Sequence, residues 1–536
     1  MSGGNERIDE GRSNLGHPPS STVFLYGPSG SGKSTVGKIL AENLNQPFVD
    51  LDFEIEAQSG MSIPEIFASE GESGFREREH QALQGVLTPE EKIIALGGGA
   101  LTIARNRELA ETRGRVILLK APPQTLLARL RADSIERPLL TGYAEEKLGA
   151  LLERRGAHYA SFPIQIDTDG KSPAGVAWEI QVQSGLYHLR GMQNRKHPAY
   201  DVRVQPGGFD QLGEMLRARS LRGPVAVVTD ENVGAAHLPR VTEALAKSGF
   251  ESHGITIPAG EQFKTLQTIA SLWGAFSSAK IERGSTIIAL GGGVVGDLTG
   301  FAAASWLRGV PWVAVPTSLL AMVDASMGGK TGFDLPQGKN LVGAFYPPRL
   351  VLADPNVLAT LPKEELINGM AEVIKHSVIA DPELLALCRN LPGFENLEGL
   401  VSRAMAVKVK IIEADPYEQG IRAALNLGHT VGHGVELASG FRLRHGEAVS
   451  IGMVTETRIA ERIGLAQPGL ADEISAVLQA VGLPTEVPAN LDREAITTAM
   501  ARDKKKAGGV VKFALPVAIG EVRVGVEVDD WKSMIG

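Results

Sequence analysis

The chain has 536 residues, too many for one hydrophobic core, and its 43% hydrophobic and 22% charged residues are ordinary for globular protein. A formal net charge of −8 gives no basic footprint for nucleic acid. The single cysteine, Cys388, excludes an internal disulfide framework, and no apolar run reaches the roughly 18 residues a membrane helix needs. These features predict a cytoplasmic protein of several domains.

Residues 1–20 are polar and rich in Gly, Ser and Pro and are expected to form a disordered leader. "TVFLYG" then reads as a short strand, and "STVGKILAENL" has helical spacing. Between them Gly27, Ser29, Gly30, Ser31, Gly32, Lys33, Ser34 and Thr35 complete the phosphate-loop pattern GxxxxGK[ST]. Its glycines let backbone N–H groups face nucleotide phosphates, Lys33 reaches the β- and γ-oxygens, and Ser34 can ligate Mg2+. Asp50 and Asp52 alternate with Leu51 on an expected strand end, which would put both carboxylates on one side. One could orient a substrate hydroxyl while the other sits toward the metal. Arg76 and Arg155 offer bidentate forks for a carboxylate.

A break falls near 187–200, where a helical pattern ends, a polar stretch follows, and the strand-like "YDVRV" begins. "VAVVTDENV" reads as a strand ending in Asp230, Glu231 and Asn232, the carboxyl end where nucleotides sit in open α/β sheets. Glu261 and Lys264 fall in a loop before a helix. "STIIALGGGVVGD" is a buried strand feeding a glycine turn. There Gly293, Val294, Val295, Gly296 and Asp297 open a helix suited to a pyrophosphate. From about 355 onward, strand–turn units give way to long helical patterns. Lys330, Lys339 with Asn340, Lys375, Lys408 and Lys504–Lys505 stand beside glycines or apolar residues. Converging, such lysines would cage an acidic, phosphorylated substrate.

"NLGHTVGHGVE" places His429 and His433 four apart on one helical face, and His445 follows in "RHGEA". Glu372 and His376 are likewise four apart. A catalytic metal wants three protein ligands and an open position, so these five residues leave several ligand sets open.

The first third resembles shikimate kinase in its phosphate loop, "DLD" at 50–52, "GMSIPEIF" and "GESGFREREH", "LGGGA" at 96–100, "RPLL" at 137–140 and "RRGAHY" at 154–159. That resemblance implies a P-loop α/β fold over 21–187. It implies shikimate held by Asp52, Arg76, Gly98 and Arg155, Arg137 reaching ATP from a lid, and Asp50 near Mg2+. The remainder resembles 3-dehydroquinate synthase in "VTDENV", "PAGEQFK", "GGGVVGDLTGF", "PTSLLAMVDASMGGKTG", "GKNLVGAF", "NGMAEVIKH", "ALNLGHTVGHGVE" and "RHGEAVSIGM". It implies a linker at 188–199, an α/β NAD-binding domain over 200–354 and a mostly helical metal-binding domain over 355–536.

By the same resemblance Zn2+ or Co2+ is held by Glu372, His429 and His445, His433 faces substrate, and His376 is structural. NAD would meet Asp230, Asn232, Glu261, Lys264, the turn 293–297, Thr317, Ser318, Lys330 and Lys339. The substrate, 3-deoxy-D-arabino-heptulosonate 7-phosphate, would meet Asp324, Lys330, Asn340, Lys375, Lys408, Arg422, Asn426, His433 and Lys505. Arg308 would clamp its phosphate across a dimer interface. Hydride would leave and return through NAD with no net redox change. Both activities serve aromatic amino acid biosynthesis. Two rivals stand beside this reading: a glycerol-dehydrogenase-like enzyme that accumulates NADH, and a silent nucleotide-sensing module in the first third.

Overall fold

The computed structural model describes residues 22–132, 144–193, 197–389, 396–505 and 511–535, without the side chains of 144 and 502–505. The expected leader, Arg137 with its "RPLL" segment, and the Lys505 side chain therefore lie outside the described residues.

Short apolar runs bounded by glycine turns become strands buried on both faces, as parallel sheets require. The first sheet holds β1 (Val23–Tyr26), β2 (Phe48–Asp50), β3 (Ile93–Ala95), β4 (Arg115–Lys120) and β5 (Gln165–Asp167), in the order β2-β3-β1-β4-β5. Its pairings are all parallel, and two separate clusters of buried side chains cover its faces. The chain leaves β1, passes over β3 to β2, and returns on both sides of β1. The carboxyl end of β1 is therefore a crevice where a ligand can sit. Asp50 and Asp52 do not share a strand. Asp50 ends β2 and caps the helix Leu51–Ser59, its side chain accepting from the Asp52 N–H at 3.2 Å, so Asp52 stands in the first helical turn. An aspartate at a cap with acids behind it is a helix start, and that preference overrides the alternation.

The second sheet has seven strands, in the order β6-β7-β14-β11-β10-β8-β9. They are β6 (Leu186–Leu189), β7 (Tyr200–Val204), β8 (Val225–Asp230), β9 (Ser252–Ile257), β10 (Thr286–Gly291), β11 (Trp312–Pro316) and β14 (Leu350–Ala353). All run parallel except β6, which pairs antiparallel with β7. The expected linker at 188–199 thus begins inside a strand, because Leu186, Tyr187 and Leu189 are buried. A hairpin of β12 (Lys330–Leu335) and β13 (Gly338–Phe345) leaves this sheet toward the helices.

The last part is built on the helices Lys363–Ala380, Leu397–Ala414, His429–Ala438 and His445–Arg462. It also carries an antiparallel hairpin, β15 (Lys512–Ala518) with β16 (Glu521–Glu527), which the helical patterns did not announce. One continuous hydrophobic core joins these helices to the seven-stranded sheet. Among the described residues no helix is long and apolar enough to cross a membrane.

Candidate functional sites

At the end of β1, Gly27 adopts φ +136°, and a β-carbon there would lie 2.1 Å from the Leu119 carbonyl oxygen. Only glycine fits, so the loop can fold tightly over the sheet edge. Lys33 begins the helix Lys33–Leu44 and lays its ammonium back across the loop, donating to the Gly27 and Pro28 carbonyls at 2.9 and 3.0 Å. Ser29, Gly30, Ser31 and Gly32 form the turn between, with Thr35 just inside the helix. The Ser34 hydroxyl donates to Asp50 Oδ2 at 2.5 Å. A hydroxyl and a carboxylate beside phosphate-facing N–H groups are a hard-oxygen set suited to Mg2+.

Next to this loop, Gly97–Gly99 follow β3. A β-carbon on Gly99 would lie 2.5 Å from Arg76 Nη2 and 2.7 Å from Arg155 Nη2, so the two guanidinium groups converge over the glycines. Arg155 is fixed by donating to the Gly98 carbonyl at 2.7 Å, and Tyr159 donates to the same oxygen at 2.7 Å. A β-carbon on Gly97 would meet Asp52 Oδ1 at 3.2 Å and Glu79 Oε1 at 3.0 Å. Asp52, Arg76, Gly98 and Arg155, the set that the resemblance implied, are therefore brought together at one place. Glu79, which closes the "FRERE" stretch one helical turn beyond Arg76, was given no role from the sequence. It accepts from Arg76 Nη1 at 2.8 Å, and burial, opposed by Arg76, pushes its carboxyl up to about 7.

In the second sheet, Asp230 ends β8, caps the helix Glu231–Lys247 and accepts from the Asn232 and Val233 N–H groups at 2.9 Å. In the neighbouring strand β10, Gly291 and Gly292 lead into the helix Gly293–Ser305, which carries Val294, Val295, Gly296 and Asp297. Thr317 and Ser318 follow β11, and the Thr317 N–H reaches the Gly291 carbonyl at 3.1 Å. Strand order reverses between β8 and β10, so these residues line the crevice where an open sheet takes a nucleotide. The glycine turn has no cation of its own. Lys264 is buried 2.7 Å from Asp297 Oδ2 and 2.7 Å from Asn340 Oδ1 on the β12–β13 hairpin, and Lys330 of that hairpin lines the same cavity as the turn. Lys339, on the same hairpin, lies 3.7 Å from Glu261 and 3.0 Å from Glu436.

In the helical part the candidate histidines come together. His429 opens one helix and His445 another, and these two helices pack closely because Gly452 meets Gly428, where a β-carbon would lie 2.0 Å from the Gly428 carbonyl. Buried Glu456 accepts from the Gly428 and Val431 N–H groups at 2.7 and 2.9 Å, and so holds the first turn that carries His429. His429 Nδ1 lies 3.1 Å from the Leu427 carbonyl, which selects the tautomer that turns an Nε2 lone pair into the site. Burial, reinforced by Lys375, pushes His429 down to about 3, so the ring is neutral.

Glu372 is wholly buried, and its Oε1 accepts no hydrogen bond. That oxygen lies 3.6 Å from His429 Nε2 and 3.5 Å from His445 Nε2. Ligands about 2.1 Å from a tetrahedral ion stand roughly 3.4 Å apart, so the spacing is that of a zinc-type set rather than of hydrogen bonds. Among the described residues, His433, Glu436 and His445 also come together, as do Asp324, Glu372 and His376. Glu436 is engaged by Lys339 and Glu372 by Lys375, but Glu372 Oε1 is left without a hydrogen bond where it faces His429 and His445. His433 stands on the exposed side, its ring 5.2 Å from that of His429.

Beside this set, Asp324 accepts from Lys408 at 2.6 Å, with Lys375 at 4.0 Å and the buried His376 at 3.7 Å. Burial resists its ionisation, but Lys408 and Lys375 hold its carboxyl well below the usual range. Lys375 pairs with Glu372 and donates to the Leu425 carbonyl at 2.9 Å. His376, read as structural, thus sits at the edge of the polar cluster. Lys330 pairs with Glu418, which Asn426 also approaches at 3.4 Å. Arg422 is buried beside Gly328, its own N–H held by Asp415 at 3.0 Å. Arg308 is exposed in a left-handed conformation after the glycine-turn helix and is not among the groups gathered here.

Comparison with known proteins follows this division. The shikimate kinase family model matches residues 29–183. The models for 3-dehydroquinate synthase N-terminal and C-terminal domains match 254–368 and 369–506. The 3-dehydroquinate synthase of Nostoc punctiforme is 44% identical over 344 residues, 62% of this chain and 95% of the relative. That of Synechocystis sp. is 45% identical over 340 residues, 62% of this chain and 94% of the relative. Among solved structures, 2-epi-5-epi-valiolone synthase from Streptomyces hygroscopicus subsp. jinggangensis, with NAD+ and Zn2+ bound, is similar at TM-score 0.58 and 29% identity. The match covers 64% of this chain and 96% of that one.

Proposed function

Because the chain belongs to the 3-dehydroquinate synthase family and carries a shikimate kinase domain ahead of it, we infer that one polypeptide runs two reactions of aromatic amino acid biosynthesis. It phosphorylates shikimate with ATP, and it converts 3-deoxy-D-arabino-heptulosonate 7-phosphate to 3-dehydroquinate and phosphate. What carries the second half of this reading is Glu372, His429 and His445 converging beside Asp324, Lys375 and Lys408. A metal set facing a cationic pocket suits a phosphorylated polyol, whereas a simple alcohol would need no such charge.

In the kinase, Lys33 would exchange the Gly27 and Pro28 carbonyls for phosphate oxygens, and Ser34 with Asp50 would face Mg2+. Arg76 and Arg155 would hold the shikimate carboxylate, Asp52 would take the hydroxyl proton, and Arg137 would close over the phosphates. In the synthase, bound Zn2+ or Co2+ would supply Lewis acidity toward the substrate hydroxyls, and NAD+ a reversible hydride acceptor. Asp230, Asn232, Glu261, Lys264, Thr317, Ser318 and the turn at 293–297 would seat the dinucleotide. Asp324, held ionised by its lysines, would accept a hydrogen bond from a reacting hydroxyl. Lys330, Asn340, Lys375, Lys408, Arg422, Asn426, His433 and Lys505 would orient the sugar and neutralise the departing phosphate. A second copy would bring Arg308 to that phosphate, making the enzyme a homodimer. We place it in the cytoplasm with small-molecule partners only.

The test uses the purified full chain in two assays. ADP should form only when shikimate is present, and phosphate should be released from the heptulosonate without ATP. ADP formation indifferent to shikimate would refute the kinase assignment. Absence of phosphate release would refute the synthase assignment.

A further inference from the structure

We propose that the junction between the two enzymes positions Lys408, so that the kinase helix Pro173–Ser184 and the strand it runs into set part of the synthase site. This rests on the reading of Lys408 as a substrate-facing group. Nothing in the two separate reactions requires such a contact; it comes from how the two parts are joined.

The join is a packed strand rather than a tether. The helix Pro173–Ser184 runs straight into β6, and alternation along β6 splits its side chains between the two enzymes. Leu186 lies in the kinase core under the first sheet, whereas Tyr187 and Leu189 lie in the synthase core. Around it, buried Arg115 of the kinase donates to the Ser184 carbonyl at 2.7 Å and to the Val204 carbonyl of β7 at 3.3 Å. A short polar connection would leave the halves free to move, but a strand with side chains in both cores ties them together.

One synthase helix, Leu397–Ala414, takes most of these contacts. The Tyr187 hydroxyl meets the Ser402 carbonyl at 2.8 Å and the Ser402 hydroxyl at 2.9 Å. That Ser402 hydroxyl donates to the Val182 carbonyl of the kinase helix at 2.6 Å. The Lys410 ammonium lies 4.5 Å from the centre of the Trp178 ring. Glu413 Oε1 accepts from the Arg190 and Gly191 N–H groups, both at 2.7 Å. At about 100° per residue, Ser402, Lys410 and Glu413 fall within an arc of roughly 80°. Lys408 points about 120° away from Ser402, and there its ammonium meets the Asp324 side chain and carbonyl, both at 2.6 Å. The junction therefore grips the helix on both sides of Lys408 along the sequence and on the opposite face. A shift of this helix would be felt first at Asp324.

The test uses the full chain with Tyr187→Phe, which removes one oxygen from a packed site, and separately Glu413→Gln. Each should lower synthase kcat on the order of fivefold, since small displacements of an orienting group are costly, and leave kinase kcat unchanged. Lys408→Arg alone should lower synthase kcat further than either. In that background the junction substitutions should cost nothing more, because they act through the residue already changed. Unchanged synthase kcat in both single variants, or the same fold-loss with and without Lys408→Arg, would overturn the proposal. Lys408→Arg with full synthase turnover would overturn the assignment of Lys408 itself, and the junction role with it.

Discussion

Two glycine turns close two parallel sheets in this chain, and they acquire their charge in different ways. The loop after β1 brings its own cation and its own metal-facing hydroxyl, Lys33 and Ser34, within nine residues of Gly27. The turn after β10 brings neither: Lys264, from a distant loop, pairs with Asp297 at 2.7 Å, and Lys330 of the β12–β13 hairpin lines the same cavity as the glycines. A self-contained loop works as a unit wherever a strand and helix present it. A turn with borrowed charge depends on the assembly of the whole domain.

Breaking the self-contained loop should have the largest effect. Lys33→Ala should lower shikimate-dependent ADP formation about 10²- to 10³-fold, the scale of losing one preorganised electrostatic partner. Phosphate release by the synthase should stay as it was, which a two-assay comparison on one preparation will show. Next in size is the metal set. His445→Ala should lose bound metal at a free-metal concentration where His433→Ala keeps it, read by elemental analysis after dialysis. Equal loss in both would place His433 among the ligands.

The borrowed charge should be worth less. Lys264→Met leaves Asp297 without its partner and should raise the KM for NAD+ about tenfold, with kinase kinetics untouched. An unchanged KM would mean that NAD+ binding does not depend on Lys264.

The smallest effect sharpens the kinase side. Glu79 is held up to about 7 by burial, against the pull of Arg76. Its ionised form pairs with Arg76, so kcat/KM for shikimate should rise severalfold through about pH 7, and Glu79→Gln should flatten that limb. The stability effect has the opposite direction. A carboxyl raised in the folded state contributes stability at low pH that is lost as pH climbs through about 7. Glu79→Gln should therefore compare better with the parent chain in thermal melting at pH 8 than at pH 5.

The same contrast explains what could be read from the sequence. The phosphate loop was legible because its parts are contiguous, and Arg76 and Arg155 stood out as forks within one short domain. Asp52 was misplaced onto a strand because alternation competes with capping, and Asp50, which does end β2, also caps a helix. In the synthase, spacing alone left five candidate ligands open. The choice depends on which histidine has its other nitrogen tied to a carbonyl and on which buried carboxylate turns an oxygen without a donor toward the histidines, and both are tertiary facts. Glu436 and Glu456 escaped notice for the same reason: each is an ordinary helical glutamate until packing turns it toward Lys339 or toward a helix start. The second half of β6 was read as linker because four residues give too short a pattern, although the alternation along β6 is what joins the two enzymes.

The most direct test of the synthase account is phosphate release from 3-deoxy-D-arabino-heptulosonate 7-phosphate by the full chain, without ATP. The protein would first be stripped by chelator, then given NAD+ and Zn2+ singly and together. The account predicts release only when both are present, with no NADH left at the end. Release without either addition, or NADH accumulating in step with substrate, would contradict it.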